Sequence, residues 1–107
     1  MASALVTMPA QARRGEIIEI KALIAHPMET GFRPGADGKV LARDIIRRFT
    51  CLYNGQQVFG AELHPAISAN PYIAFYTVAT GNGTLEFRWE GDNGFAQSET
   101  RQLAVTG

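Results

Sequence analysis

One cysteine and two histidines carry most of the reactive chemistry available to this sequence of 107 residues. Histidine is the side chain that titrates near neutrality, and a cysteine thiolate is both nucleophile and soft metal ligand. His26 is followed by Pro27, with Glu29 three positions on, and His64 is followed by Pro65. A closed zinc site takes four ligands and a catalytic one about three. His26, His64, Glu29 and Cys51 reach that count only if several strand ends meet in space, and their spacing gives no sign of it. A small metal or redox protein built on His26, His64 and Cys51 therefore stands as the alternative reading. Cys51 lies between Thr50 and Leu52, beside Phe49 and Tyr53, in a run of strand-forming residues. That setting suits a small buried residue better than an activated thiol, which needs exposure and a positive local field. No Gly-x-Ser-x-Gly elbow occurs, and no glycine-rich phosphate loop leads into a helix. No catalytic constellation is legible, and no cofactor or metal is expected.

The elements that would position these residues are strands. Ile18, Ile20, Ala22 and Ile24 alternate with Ile17, Glu19, Lys21 and Leu23, which is the period of a half-buried strand. From His26 to Gly38 the chain holds Pro27, Gly31, Pro34, Gly35 and Asp37-Gly38, a turn-rich stretch. A strand from about Ile45 to Tyr53 meets Asn54-Gly55 and then Gln56 to Leu63, the strongest short hairpin signal. Further strands run from Tyr72 to Ala79 and from Thr84 to Glu90. In the latter Leu85, Phe87 and Trp89 point one way, and Glu86, Arg88 and Glu90 point to solvent. The segment from Phe95 to Val105 is polar on both faces in its middle, as an edge strand or one paired with another chain would be. With a short strand near Leu5 to Met8 this makes about seven. Seven short strands with turns every ten or so residues predict one all-β domain over residues 1–107. The expected fold is an antiparallel sandwich of immunoglobulin-like or fibronectin-III-like type.

Composition narrows function further. Ten basic and ten acidic residues balance, so the electrostatic footprint of nucleic-acid binding is missing. Arg43, Arg47 and Arg48, with Asp44 among them, read as a solvated strand edge or a local interface patch. One cysteine allows no internal disulfide. No apolar run approaches the ~20 residues that span a bilayer. The residues from Met1 to Pro9 lack the basic and apolar regions of a signal peptide, so none is expected.

Several strings, taken in order, are recognisable. They are Arg14-Gly15-Glu16-Ile17-Ile18-Glu19-Ile20-Lys21, then Ile24-Ala25-His26-Pro27-Met28-Glu29-Thr30-Gly31, then Arg43-Asp44-Ile45-Ile46-Arg47-Arg48-Phe49-Thr50-Cys51 with Tyr53-Asn54-Gly55. Leu63-His64-Pro65-Ala66-Ile67-Ser68-Ala69-Asn70-Pro71 and Gly83-Thr84-Leu85-Glu86-Phe87-Arg88-Trp89 follow. Over nearly the whole chain they resemble the Z subunit of the SoxYZ sulfur carrier of bacterial thiosulfate oxidation. The resemblance implies a non-catalytic subunit that binds SoxY as a heterodimer, or as a dimer of heterodimers. It also implies transient contacts with other Sox enzymes and a periplasmic location reached by export together with SoxY. In that family SoxY bears the sulfur-carrying cysteine on a Gly-Gly-Cys-Gly-Gly arm. That string is absent here, and Cys51 does not match the carrier position.

For the partner surface, the residues favour the loop from His26 to Gly31 with Arg33. His26, Met28, Glu29, Arg33, Arg43 and Arg47 are the candidate contacts. Met28 could serve as an adaptable apolar contact or fold back onto the sandwich. Arg33, Arg43, Arg47 and Arg48 could also attract anionic sulfur species directly, although docking or solvation explains them as well.

Overall fold

The computed structural model describes residues 3–107. Eight strands are found among them: β1 (Ala4–Thr7), β2 (Gln11–Arg13), β3 (Ile17–Ile24), β4 (Ile46–Tyr53), β5 (Gln56–Glu62), β6 (Tyr72–Val78), β7 (Gly83–Gly91) and β8 (Ala96–Thr106). They form a three-stranded sheet in the order β1-β3-β6 and a five-stranded sheet in the order β2-β8-β7-β4-β5. The all-β sandwich expected from the alternation is the observed architecture. β3 buries every second residue, from Ile18 to Ile24, as its sequence period requires.

The eighth strand is β2, which the sequence reading omits. It is three residues long with one buried side chain, Ala12, so it carries no period to detect. It pairs in parallel with the end of β8, Gln11 opposite Ala104 and Arg13 opposite Thr106. Every other strand pair is antiparallel. From Ala96 to Leu103, β8 is laddered to β7 on one side and lies beyond the reach of β2 on the other. Its polar middle follows from that edge position. Glu99 stands opposite Phe87 and Arg101 opposite Leu85, so both charges lean towards the core side and pair with each other at 3.8 Å. Inward charges of this kind discourage another strand from adding to an edge.

Asn54 and Gly55 both have positive φ, +51° and +82°, as a type I′ hairpin turn demands. Asn54 also stitches this turn to the next hairpin. Its Oδ1 accepts from the Thr84 amide, and its Nδ2 donates to the Asn82 carbonyl. At the other end of β4, Ile46 pairs with Gly91 and Arg48 with Glu90, leaving Arg47 as an extra, bulged residue. Gly91 is required there because a Cβ would lie 2.4 Å from the Ile45 carbonyl oxygen.

The core between the sheets is aromatic. Phe49 of β4 packs on Trp89 at 5.2 Å and on Phe75 of the opposite sheet at 6.0 Å between ring centroids. Phe59 stacks on Phe75 at 4.3 Å. Trp89 is buried, as its place in the alternation predicts.

Candidate functional site

The chemically able residues are held apart. Cys51 lies on the inner face of β4, fully buried. Burial pushes its thiol up to about 12, the direction opposite to activation. His26 follows β3 and is buried; His64 lies at the start of the loop after β5 and is exposed. Among the described residues no group of three His, Cys, Asp or Glu side chains stands close enough to share a metal ion.

His26 instead anchors the loop that follows it. Its amide donates to Asn70 Oδ1 at 3.0 Å, and its carbonyl accepts from the Asn70 amide. Its Nδ1 accepts from the Met28 amide at 3.0 Å, and its ring meets the Phe95 ring edge-on at 5.0 Å. Met28 takes a left-handed backbone, φ +49°, which swings its side chain back onto the sandwich, where it is 4% exposed. Its sulfur accepts from the Ile46 amide at 3.2 Å. Of the candidate contacts, His26 and Met28 therefore lie inside the domain rather than on its open surface. Pro27 stays exposed, and the Met28 side chain after it turns inward to close the space beside the His26 ring.

Glu29, Arg33, Arg43 and Arg47 remain on the surface. Glu29 and Asp44 exchange both backbone hydrogen bonds at 2.8 Å, which closes the base of the long loop. Arg33 clasps Glu29 with both carboxylate oxygens engaged. Asp92, in the 3₁₀ turn Asp92–Gly94, gathers the others. It receives Arg43 Nε at 2.8 Å, Arg47 Nε at 3.2 Å and the Ile45 amide at 3.2 Å. These arginines border a groove of about 440 Å³ with Arg48, His64, Glu62 and Glu90. The three guanidiniums there face three carboxylates, counting Asp92. The groove is a balanced polar surface rather than a bare cationic trap.

Partial burial by itself would raise the Asp92 carboxyl. The bonds from Arg43 and Ile45, with the charge of Arg47, outweigh it and hold the group below its usual range. A depressed carboxylate stabilises the fold above its unfolded value, about 3.9, and that contribution vanishes as pH falls through the folded value. Asp92→Asn should therefore lower the thermal midpoint at neutral pH. The two thermal midpoints should converge in acid, where the wild-type carboxylate is protonated too. Midpoints that differ equally from pH 7 down to strong acid would contradict this account.

The two outer sheet faces differ sharply, and the sequence reading missed the difference. On the five-stranded sheet the outward pairs are polar: Arg88 with Ser98, Glu86 with Thr100, Thr84 with Gln102. On the three-stranded sheet the outward rows are Leu5–Leu23–Tyr72 and Ile17–Val78, with Tyr76 beside Glu19. All six apolar or aromatic side chains are exposed. The signal was present in β3, where Ile17 and Leu23 occupy positions that the alternation assigns to solvent. Only strand pairing brings them beside β1 and β6.

The family model of the sulphur oxidation protein SoxZ matches residues 6–102. The chain belongs to the SoxZ family. That membership gives it a role in Sox sulfur oxidation and agrees with the resemblance carried by the sequence strings. A comparison with curated protein sequences yields no match. Among solved structures, the sulfur carrier protein SoxY from Chlorobium limicola f thiosulfatophilum is similar in fold. It has a TM-score of 0.68 at 12% identity, over 97% of this chain and 79% of that one. A superoxide reductase (neelaredoxin) from Ignicoccus hospitalis superposes with TM-score 0.71 at 11% identity, over 97% and 80% of the two chains. The CARDB domain of PF1109 from Pyrococcus furiosus gives 0.55 at 9% identity, over 96% and 94%. At these identities the likeness is one of fold alone.

Proposed function

We propose that this chain is the non-catalytic subunit of a SoxYZ sulfur carrier, which binds SoxY and supports the arm on which SoxY carries its cargo. The observation that carries the reading is the state of Cys51. A sulfur carrier needs an accessible thiolate. The only thiol of this SoxZ-family chain is fully buried and pushed up to about 12. Burial opposes both access and ionisation of this thiol, which supports placing the cargo cysteine on another chain. A heterodimer with SoxY, further contacts with other Sox enzymes, and a periplasmic location reached together with SoxY complete the proposal.

Two measurements on co-expressed chains test it. The chain should co-purify with SoxY in 1:1 stoichiometry. A thiol reagent should label Cys51 in the folded chain at least ~100-fold more slowly than in denaturant, since thiolate and access are both required. A chain that stays alone in the presence of SoxY, or a Cys51 that reacts rapidly and accepts sulfur, would overturn the reading.

A further inference from the structure

From Ala96 to Leu103 one edge of β8 is open, with β7 on its other side and β2 not yet begun. The backbone groups that face this edge are fixed by β2. Where β2 closes the edge, the Ala104 amide donates to the Ala10 carbonyl at 3.0 Å. The register with β7 runs from Ala96 to Leu103 without a bulge, so the N–H and C=O directions alternate along it. Ser98, Thr100 and Gln102 therefore turn both groups to the open side, in step with Ala104. Glu99 and Arg101 direct theirs to β7. Their side chains stand on the core side, 33% and 36% exposed. The Arg101 guanidinium folds back onto the Thr100 carbonyl at 2.8 Å, a carbonyl that has no strand beside it.

We propose that this edge pairs with the same edge of a second copy of the chain, antiparallel, about a two-fold axis at Thr100. Such a contact needs a segment complementary to itself when reversed. The open stretch meets that need in one register. Antiparallel pairs that exchange hydrogen bonds join residues whose N–H and C=O both face outward. With Thr100 opposite Thr100 of the copy, Ser98 falls opposite Gln102, and all three face outward. Glu99 of each chain then stands directly opposite Arg101 of the other, on the same face of the joined sheet. Opposite charges in that position stabilise a strand pair. An axis at Glu99 or at Arg101 instead sets like charges against each other, which disfavours both neighbouring registers. Larger slips shorten the ladder, because Thr100 is the midpoint of the stretch from Gln97 to Leu103 and β2 closes the edge beyond it. The inward charges that repel an arbitrary apolar strand thus admit a strand carrying the opposite charge at each place. β8 of a second copy is such a strand. On pairing, Arg101 leaves the Thr100 carbonyl for Glu99 of the copy, and the amide of the copy's Thr100 replaces it. A ladder of roughly 23 Å, at ~3.3 Å per residue, belongs with the small, transient interfaces below ~1,200 Å². The inference is independent of the partner assigned under the proposed function.

Sedimentation equilibrium of the full chain, from ~1 µM to ~1 mM, tests this for wild type and variants. Each variant is first checked for an unchanged cooperative thermal transition. Glu99→Arg sets basic residues against basic ones across the axis, and Arg101→Glu sets acidic against acidic. Each alone should dimerise at least tenfold more weakly than wild type. Mixed in equal amounts, the two should recover a dimer of wild-type strength, because the acidic pair of one chain then faces the basic pair of the other. A local role for either charge within its own chain predicts no recovery on mixing. Thr100→Pro removes an N–H that faces only the open edge, so it spares the ladder to β7 and should abolish the dimer. Should a single charge variant fail to fold, the double variant Glu99→Arg/Arg101→Glu restores the complementarity within one chain and should dimerise as wild type does. A wild-type chain that is monomeric throughout the range overturns the inference. So does a dimer unchanged in folded Thr100→Pro, or a mixture of the folded charge variants that stays monomeric. SoxY is absent from every sample, so none of these outcomes bears on the proposed function.

Discussion

Replacing Phe49 with alanine should cost about 3–5 kcal/mol, the range for deleting a buried phenyl ring and leaving a cavity. Phe49 is the residue at which the two layers are joined. It sits on β4, laddered to β5 through Ala61 and to β7 through Trp89. Its ring touches Phe59, Phe87 and Trp89 within its own sheet, and Phe75 across the core. The cavity would open at the centre of this cluster, where neighbours on both sheets are fixed by their ladders and have little freedom to collapse. Against a total stability of about 5–15 kcal/mol, such a loss removes a large share of the fold. Urea unfolding checks it: the midpoint should fall steeply with the slope unchanged. A loss below ~1.5 kcal/mol would show that Phe49 is not the joint between the sheets.

That core was legible because alternation reports it directly. Leu85, Phe87 and Trp89 could be assigned to the inside from their spacing, and the Asn54-Gly55 turn from the positive φ both residues accept. What spacing does not report is which strand lies beside which. β2 escaped notice because three residues with one buried alanine have no period. The apolar outer face escaped because its two ends are assembled from β1, β3 and β6, whose rows meet only after pairing. Ile17 and Leu23 looked like ordinary exposed hydrophobics of one strand, and single exposed apolar residues are common. Family resemblance pointed to a partner, but it carried no information on the face that would meet it. The loop after β3 shows the converse limit. Pro27 and Gly31 mark it correctly as irregular, yet irregular chain can still bury side chains when another residue closes the backbone.

Met28→Ala should accordingly cost about 2–5 kcal/mol, as for other large buried side chains truncated in a core. The residue offers two possible roles that predict opposite results. As an adaptable surface contact, its loss would leave stability within ±0.5 kcal/mol and weaken the complex. As a buried plug, its loss empties the space beneath the His26–Asp44 loop, strips the Ile46 amide of its sulfur acceptor, and leaves alanine in the left-handed backbone that Met28 now occupies. The structure favours the second outcome, because the side chain is 4% exposed and lies among Ile45 and Ile46 in the core. Met28→Leu separates packing from the sulfur contact. It conserves volume, so it should cost less than ~1.5 kcal/mol and leave SoxY affinity unchanged. Chemical denaturation of both variants, followed by SoxY titration of the folded leucine variant, reads both quantities. A destabilised alanine variant with a leucine variant that still binds fixes Met28 as the support beneath the Glu29–Asp44 bridge. A stable alanine variant that fails to bind would return it to the interface.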